Sequence, residues 1–172
     1  MVFSDKDQEK KKIPEVQIFS VPSPLREDQE NITINTNPPS KPSKEQIINQ
    51  AFKFHSQGNI QEAAKYYQYF IDQGFKDSRV FSNYGVILKN LGRLQEAEIS
   101  TRKAIEIKPD YAEANYNLGI ILRDLGNLKE AEKSTRRAIK IKPDYAEAHS
   151  NLGGILIALG KLEDAEKSTR KA

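Results

Sequence analysis

The chain repeats itself. Ser78 to Tyr111 reads SRVFSNYGVILKNLGRLQEAEISTRKAIEIKPDY, and Ala112 to Tyr145 reads AEANYNLGIILRDLGNLKEAEKSTRRAIKIKPDY, a near-copy at a step of 34 residues. A third copy runs from Ala146 to Ala172, and a divergent one precedes them over 44–77. A unit of this length is one supersecondary element that cannot bury its apolar face alone, so copies must stack on one another.

Apolar residues recur at helical spacing in the first part of each unit: Tyr84, Leu88 and Leu91, then Leu118, Leu122 and Leu125, then Leu152, Leu156 and Leu159. Gly58, Gly92, Gly126 and Gly160 follow, each where a helix ends on a left-handed residue. A second helix then runs through Ala97, Ala104 and Ile107, or Ala131, Ala138 and Ile141, and stops at Pro109 or Pro143. Gly85, Gly119 and Gly153 stand at the level of Ala97, Ala131 and Ala165, so the two helices can approach closely. Ser43 with Gln46 has the spacing of a capping box, and Asp110 with Glu113 and Asp144 with Glu147 are expected to start later helices.

These positions resemble the tetratricopeptide repeat family from about Lys44 to Ala172. The resemblance rests on Leu118, Gly119, Leu122, Ala131, Ala138 and Pro143, matched by Tyr84, Gly85, Leu88, Ala97, Ala104 and Pro109. It implies an all-α fold, a right-handed superhelix of helix-turn-helix hairpins. The family's aromatic early in the first helix survives as Phe81 and becomes Asn115 and His149; its aromatic late in the second survives as Tyr67 and becomes Thr101, Thr135 and Thr169. In the divergent copy, Tyr66, Tyr67, Tyr69, Phe70 and Phe75 read as a heavier N-terminal core.

Residues 1–43 differ in kind. They are rich in Pro, Ser, Asn, Lys and Glu, lack apolar periodicity, and read as a disordered arm. The opening MVFSDKDQEKKK has no apolar stretch behind its charges, and the longest apolar run, Ile155 to Leu159, is far too short to span a bilayer. A soluble, cytoplasmic protein with no membrane partner is the expectation, and the sequon at Asn31 is read as chance.

One face of the first helices should line the hollow of the superhelix. Its most regular member is an amide: Asn49, Asn83, Asn117 and Asn151, one per copy and in phase. An amide both donates and accepts, so a column of them can grip the backbone of an extended peptide. This is similar to the asparagine ladder in the repeats of protein O-linked N-acetylglucosamine transferases. Arg79, Lys89, Tyr116 and Arg123 flank the column, with Glu113, Ile120 and Asp124 in the same stripe. Mixed charge points to no single-signed ligand. Where family members that grip a C-terminal carboxylate have their clamp, this chain has Ile48 and Phe52, which argues against that activity.

Net charge is only +3, too slight for a dedicated nucleic-acid binder. Arg102, Lys103, Arg136, Arg137, Arg170 and Lys171 form a ridge on the second helices, but Glu98, Glu132 and Glu166 each stand four residues before an arginine. A self-neutralising face is expected, with no nucleic-acid partner. No catalytic constellation is found: cysteine is absent, His55 and His149 stand about three copies apart, and the Gly154–Lys161 stretch lacks the spacing and hydroxyl of a phosphate loop. No cofactor or metal is expected.

The reading is therefore a protein-interaction scaffold. Its alternative is the recruiting region of a larger transferase, because the last copy stops before a capping helix; bacterial tetratricopeptide proteins of similar appearance often continue into such a domain. Ile155, Leu156, Leu159, Leu162 and Ala165 should then be only partly covered, inviting further repeats or self-association.

Overall fold

In a computed structural model, the structure describes residues 42–170 and 172; most of the proposed arm, its sequon and Lys171 lie outside the described residues. Eight α-helices make up the described residues: α1 Lys44–Ser56, α2 Ile60–Asp72, α3 Ser78–Asn90, α4 Leu94–Ile107, α5 Ala112–Asp124, α6 Leu128–Ile141, α7 Ala146–Ala158 and α8 Leu162–Thr169. They pair as four antiparallel hairpins, each stacked on the next, an all-α solenoid. First helices also meet directly, α3 against α5 and α5 against α7.

The hairpin turns follow from glycine. Gly58, Gly92, Gly126 and Gly160 have φ of 72°, 75°, 79° and 75°, a region an L side chain enters only with strain. Each lets two N–H groups turn back to orphan carbonyls: Gly58 to His55 at 3.0 Å and Asn59 to Phe54 at 2.9 Å, with the same pattern after α3, α5 and α7. α2 ends the same way at Gly74, whereas α4 and α6 end at Lys108 and Lys142, whose extended backbone is what a following proline demands.

Helix starts divide into two kinds. Ser43 and Gln46 form the expected box, with Gln46 N–H donating to Ser43 Oγ at 3.2 Å and Ser43 N–H to Gln46 Oε1 at 2.7 Å. Asp77 caps α3, accepting from Arg79 N–H at 2.9 Å. Burial alone would push the Asp77 carboxyl up, but the Arg79 hydrogen bonds and charge hold it below its ordinary value. Asp110 and Asp144 do not cap. The N-cap residues there are Tyr111 and Tyr145, because the aspartates are committed to turns in which Lys108 and Lys142 carbonyls accept from those tyrosine N–H groups at 3.2 Å.

Within a hairpin the contact is small against small. Ala97, Ala104, Ala131 and Ala138 are fully buried, and a Cβ at Gly85 or Gly119 would overlap the hydroxyl of Thr101 or Thr135. The threonines that replace the family's aromatic thus occupy the space beneath glycine, and Thr101 Oγ1 donates back to Ala97 O at 2.8 Å. The aromatic group of the first hairpin is core as expected: Tyr67 and Phe70 are fully buried, with Tyr66 and Phe75 packed around them; Tyr69 is exposed.

Two burial expectations fail. Leu91 is 57% exposed although Leu125, at the same register, packs on the core. At the last hairpin Ile155, Leu156 and Ala165 are buried, because they point back toward α5, α6 and each other's hairpin partner; the open side is carried by Leu162, at 66% exposed, and by a half-buried Leu159.

Candidate functional site

The predicted residues all fall on first helices: Asn49 on α1, Arg79, Asn83 and Lys89 on α3, Tyr116, Asn117 and Arg123 on α5, Asn151 on α7. The amides are in phase, but their surroundings differ. Asn49 is exposed; Asn83 and Asn117 are half-buried; Asn151 is 7% exposed. Asn83 Nδ2 donates to Tyr67 Oη at 3.3 Å, and Asn117 Nδ2 to Ser82 Oγ at 3.2 Å. Asn151 is the most committed: its Nδ2 donates to Thr135 Oγ1 at 3.1 Å, and its Oδ1 accepts from Arg123 Nη1 at 2.8 Å.

These bonds knit successive hairpins. Ser82–Asn117 links α3 to α5, and Arg123–Asn151 links α5 to α7, so the stripe is one continuous wall. The flanking residues are also engaged. Arg79 forks onto Asp77 at 3.1 and 2.8 Å and lies 5.2 Å above the Phe52 ring. Arg123 also reaches Asp124 at 3.2 Å, and Tyr116 packs against Tyr145 as a tilted pair with 5.0 Å between ring centroids. Burial, with Glu113 close by, pushes the Tyr145 phenol up to about 12, so it stays protonated. Lys89 is half-buried near the end of α3.

Tyr67, Ser82, Thr135 and Tyr145 were missed as members of the wall. A signal existed: Tyr67 and Thr135 each stand sixteen residues before the asparagine they bond, at one register position of the second helix.

On the opposite, outer face the expected ion pairs form: Glu98–Arg102 at 2.8 Å, Glu132–Arg136 at 2.9 Å and Glu166–Arg170 at 2.6 Å. The histidines serve the packing. His55 Nδ1 and Tyr67 Oη share a hydrogen bond at 3.0 Å, and His149 Nε2 donates to the Pro143 carbonyl at 2.9 Å. Among the described residues no cluster of His, Cys, Asp or Glu is arranged to hold a metal, and no helix is long and apolar enough to cross a membrane.

Hairpins α3–α4 and α5–α6 coincide with two matches to tetratricopeptide repeat family models, over residues 78–111 and 112–145. Residues 78–145 are two repeats of the tetratricopeptide repeat (TPR) family. No curated protein matches its sequence significantly. Solved TPR structures resemble it in fold. A MamA crystal structure is 21% identical over 75% of each chain, with a TM-score of 0.71. MamA from Desulfovibrio magneticus RS-1 (residues 41 to the end) is 16% identical over 75% of this chain and 73% of that one, with a TM-score of 0.69. YrrB, described as a TPR protein with an unusual peptide-binding site, is 20% identical over 75% of this chain and 66% of that one, with a TM-score of 0.68. At such identities the likeness concerns the TPR fold alone.

Proposed function

We propose that this TPR array is a protein-interaction scaffold whose first-helix wall binds an extended segment of a partner protein. The observation that carries the reading is the state of Asn83 and Asn117. They stand on adjoining helices, and each spends one N–H on a neighbouring side chain. Each keeps a second N–H and its carbonyl oxygen for a ligand backbone, since an amide offers two donors and an acceptor. Arg79, Lys89, Tyr116 and Arg123 flank them, and Asn49 extends the row onto α1. Asn151 has a different part: buried and doubly bonded, it orients Arg123. The hairpins α1–α2 and α7–α8 act as the outer repeats of the wall. The peptide-binding description of YrrB is in keeping with this ligand class.

The test leaves Asn151 intact. Linear peptides selected by phage display on the full chain are measured by fluorescence anisotropy against the Asn83→Ala/Asn117→Ala protein. Two lost hydrogen bonds, each contributing about 1 kcal/mol, weaken binding roughly tenfold or more without changing helical content. Equal affinity for the two proteins removes the amide row from the binding surface.

A further inference from the structure

The outer faces of α4 and α6 carry different chemistry at the same three register positions. On α4 these are Ile99, Lys103 and Glu106; on α6 they are Lys133, Arg137 and Lys140. Spacings of four and three residues put each trio on one helical stripe. On α4 the stripe closes on itself: Lys103 pairs with Glu106 at 2.6 Å, and Ile99 is 70% exposed. On α6 all three cations are exposed, and among the described residues none of them pairs with an acid.

The α6 stripe forms one bank of a groove of about 910 Å³ between α4, α5 and α6. Ile105, Pro109, Asn115 and Leu118 contribute to its floor. Glu106 and Glu130 also line it: Glu106 is tied to Lys103 at 2.6 Å, and Glu130 shares Arg102, at 2.7 Å, with Glu98, which leaves one acid against the three free cations of α6. The uncompensated charge is therefore positive and lies along the α6 bank. Asn115 stands where the preceding repeat has Phe81, and the groove beside Phe81 measures about 540 Å³.

We propose that this groove, on the face opposite the amide wall, docks an amphipathic acidic helix of a partner protein. An apolar floor between helices takes an apolar helix face at i, i+3 or i+4, and i+7. Carboxylates along one edge of that helix then meet Lys133, Arg137 and Lys140, which span about 10 Å of α6, two turns of a partner helix. A nucleic acid fits less well: its phosphates would gain nothing from Ile105 and Leu118. Charge complementarity of this kind sets specificity and association rate and weakens with salt.

The probe is a phage-displayed library of 18-residue amphipathic helices whose polar positions sample Asp, Glu, Lys and Arg, selected on the full chain. The expected winners carry Asp or Glu along one edge. As synthetic peptides they lose at least tenfold in affinity to Lys133→Glu/Arg137→Glu/Lys140→Glu protein, and keep it with Asn83→Ala/Asn117→Ala protein. The three side chains are exposed, so the charge-reversed protein should keep its circular dichroism and melting midpoint. If it does not, the single change Arg137→Gln reads the same surface, with a roughly threefold loss expected. Selection without acidic enrichment, affinity untouched by the α6 changes, or a 20-nucleotide oligo(U) RNA binding more tightly than the selected peptides overturns the proposal.

Discussion

The junction at the start of the array and the junctions further along fill one register position in opposite ways. The first hairpin has Ala51 and Tyr67 where the next two have Gly85 with Thr101 and Gly119 with Thr135. Tyr67 is fully buried, 6.0 Å from Phe52 and 6.5 Å from Tyr84 between ring centroids, and joins a core that runs from Ile47 through Phe70 and Ile87 to Ile121. Later cores are smaller: Leu118, Leu122, Ala131 and Ile155, then Leu152, Leu156 and Ala165. There the threonine leaves room for close helix approach and offers a hydroxyl, which Asn151 takes. Aromatic bulk supplies cohesion at one end; at the other, hydrogen bonds supply register. Area burial dominates stability, so the two ends should respond differently to damage.

The largest response should come from the aromatic end. Phe70 is fully buried, and Phe70→Ala removes a ring from the biggest core, at a cost of about 3–5 kcal/mol. Because repeats couple mainly to neighbours, the loss should be local. Hydrogen exchange should show α1, α2 and α3 losing protection while α6 and α7 retain theirs. Protection falling equally along all eight helices would mean that the array unfolds as one unit and that its ends do not differ in kind.

A smaller effect tests the glycine–threonine fit. Gly119→Ala drives a methyl into Thr135 Oγ1, with the Ala131 carbonyl 3.4 Å away, and overpacking of this sort costs about 1–3 kcal/mol. Adding Thr135→Ala empties the space the methyl needs. The double variant should therefore be more stable than the two single losses added together, with a coupling of about 1 kcal/mol or more in chemical denaturation. Strict additivity would show that the two residues do not share that space.

Much of this was legible beforehand because it depends on backbone constraints that a residue type imposes by itself. Gly58, Gly92, Gly126 and Gly160 mark left-handed turns, Pro109 and Pro143 mark helix ends, and the in-phase asparagines fall on the first helices. What could not be read depends on the neighbouring hairpin. Asp110 has the spacing of a cap, yet the Lys108–Tyr111 turn claims it. Leu91 and Leu125 share a register, yet Leu91 is exposed while Leu125 packs on the core that runs from Ile47 to Ile121. Phase likewise gave the face of Asn151 but not its depth, since its partners Thr135 and Arg123 lie on two other helices. A one-dimensional repeat encodes direction in each copy and environment only between copies.

The smallest predicted effect separates the two ends by pH. His55, Tyr67 and Asn83 form a chain at the aromatic junction: Asn83 Nδ2 donates to Tyr67 Oη at 3.3 Å, and Tyr67 Oη lies 3.0 Å from His55 Nδ1. Burial pushes the Tyr67 phenol up to about 12, so it remains a donor throughout the working range. Burial also holds the His55 imidazole below its ordinary value of 6.5. The unfolded chain therefore takes up this proton first. The stability that the neutral imidazole contributes is fully present above pH 6.5 and is lost as pH falls through the lower folded value. Between about pH 7.5 and pH 5 the melting midpoint should fall modestly, with exchange quickening in α1 and α2 before α6. His55→Phe, which keeps a ring against Tyr67, should flatten the midpoint over this interval. A variant that keeps the wild-type slope would assign the pH response to carboxylates elsewhere and detach it from the aromatic junction.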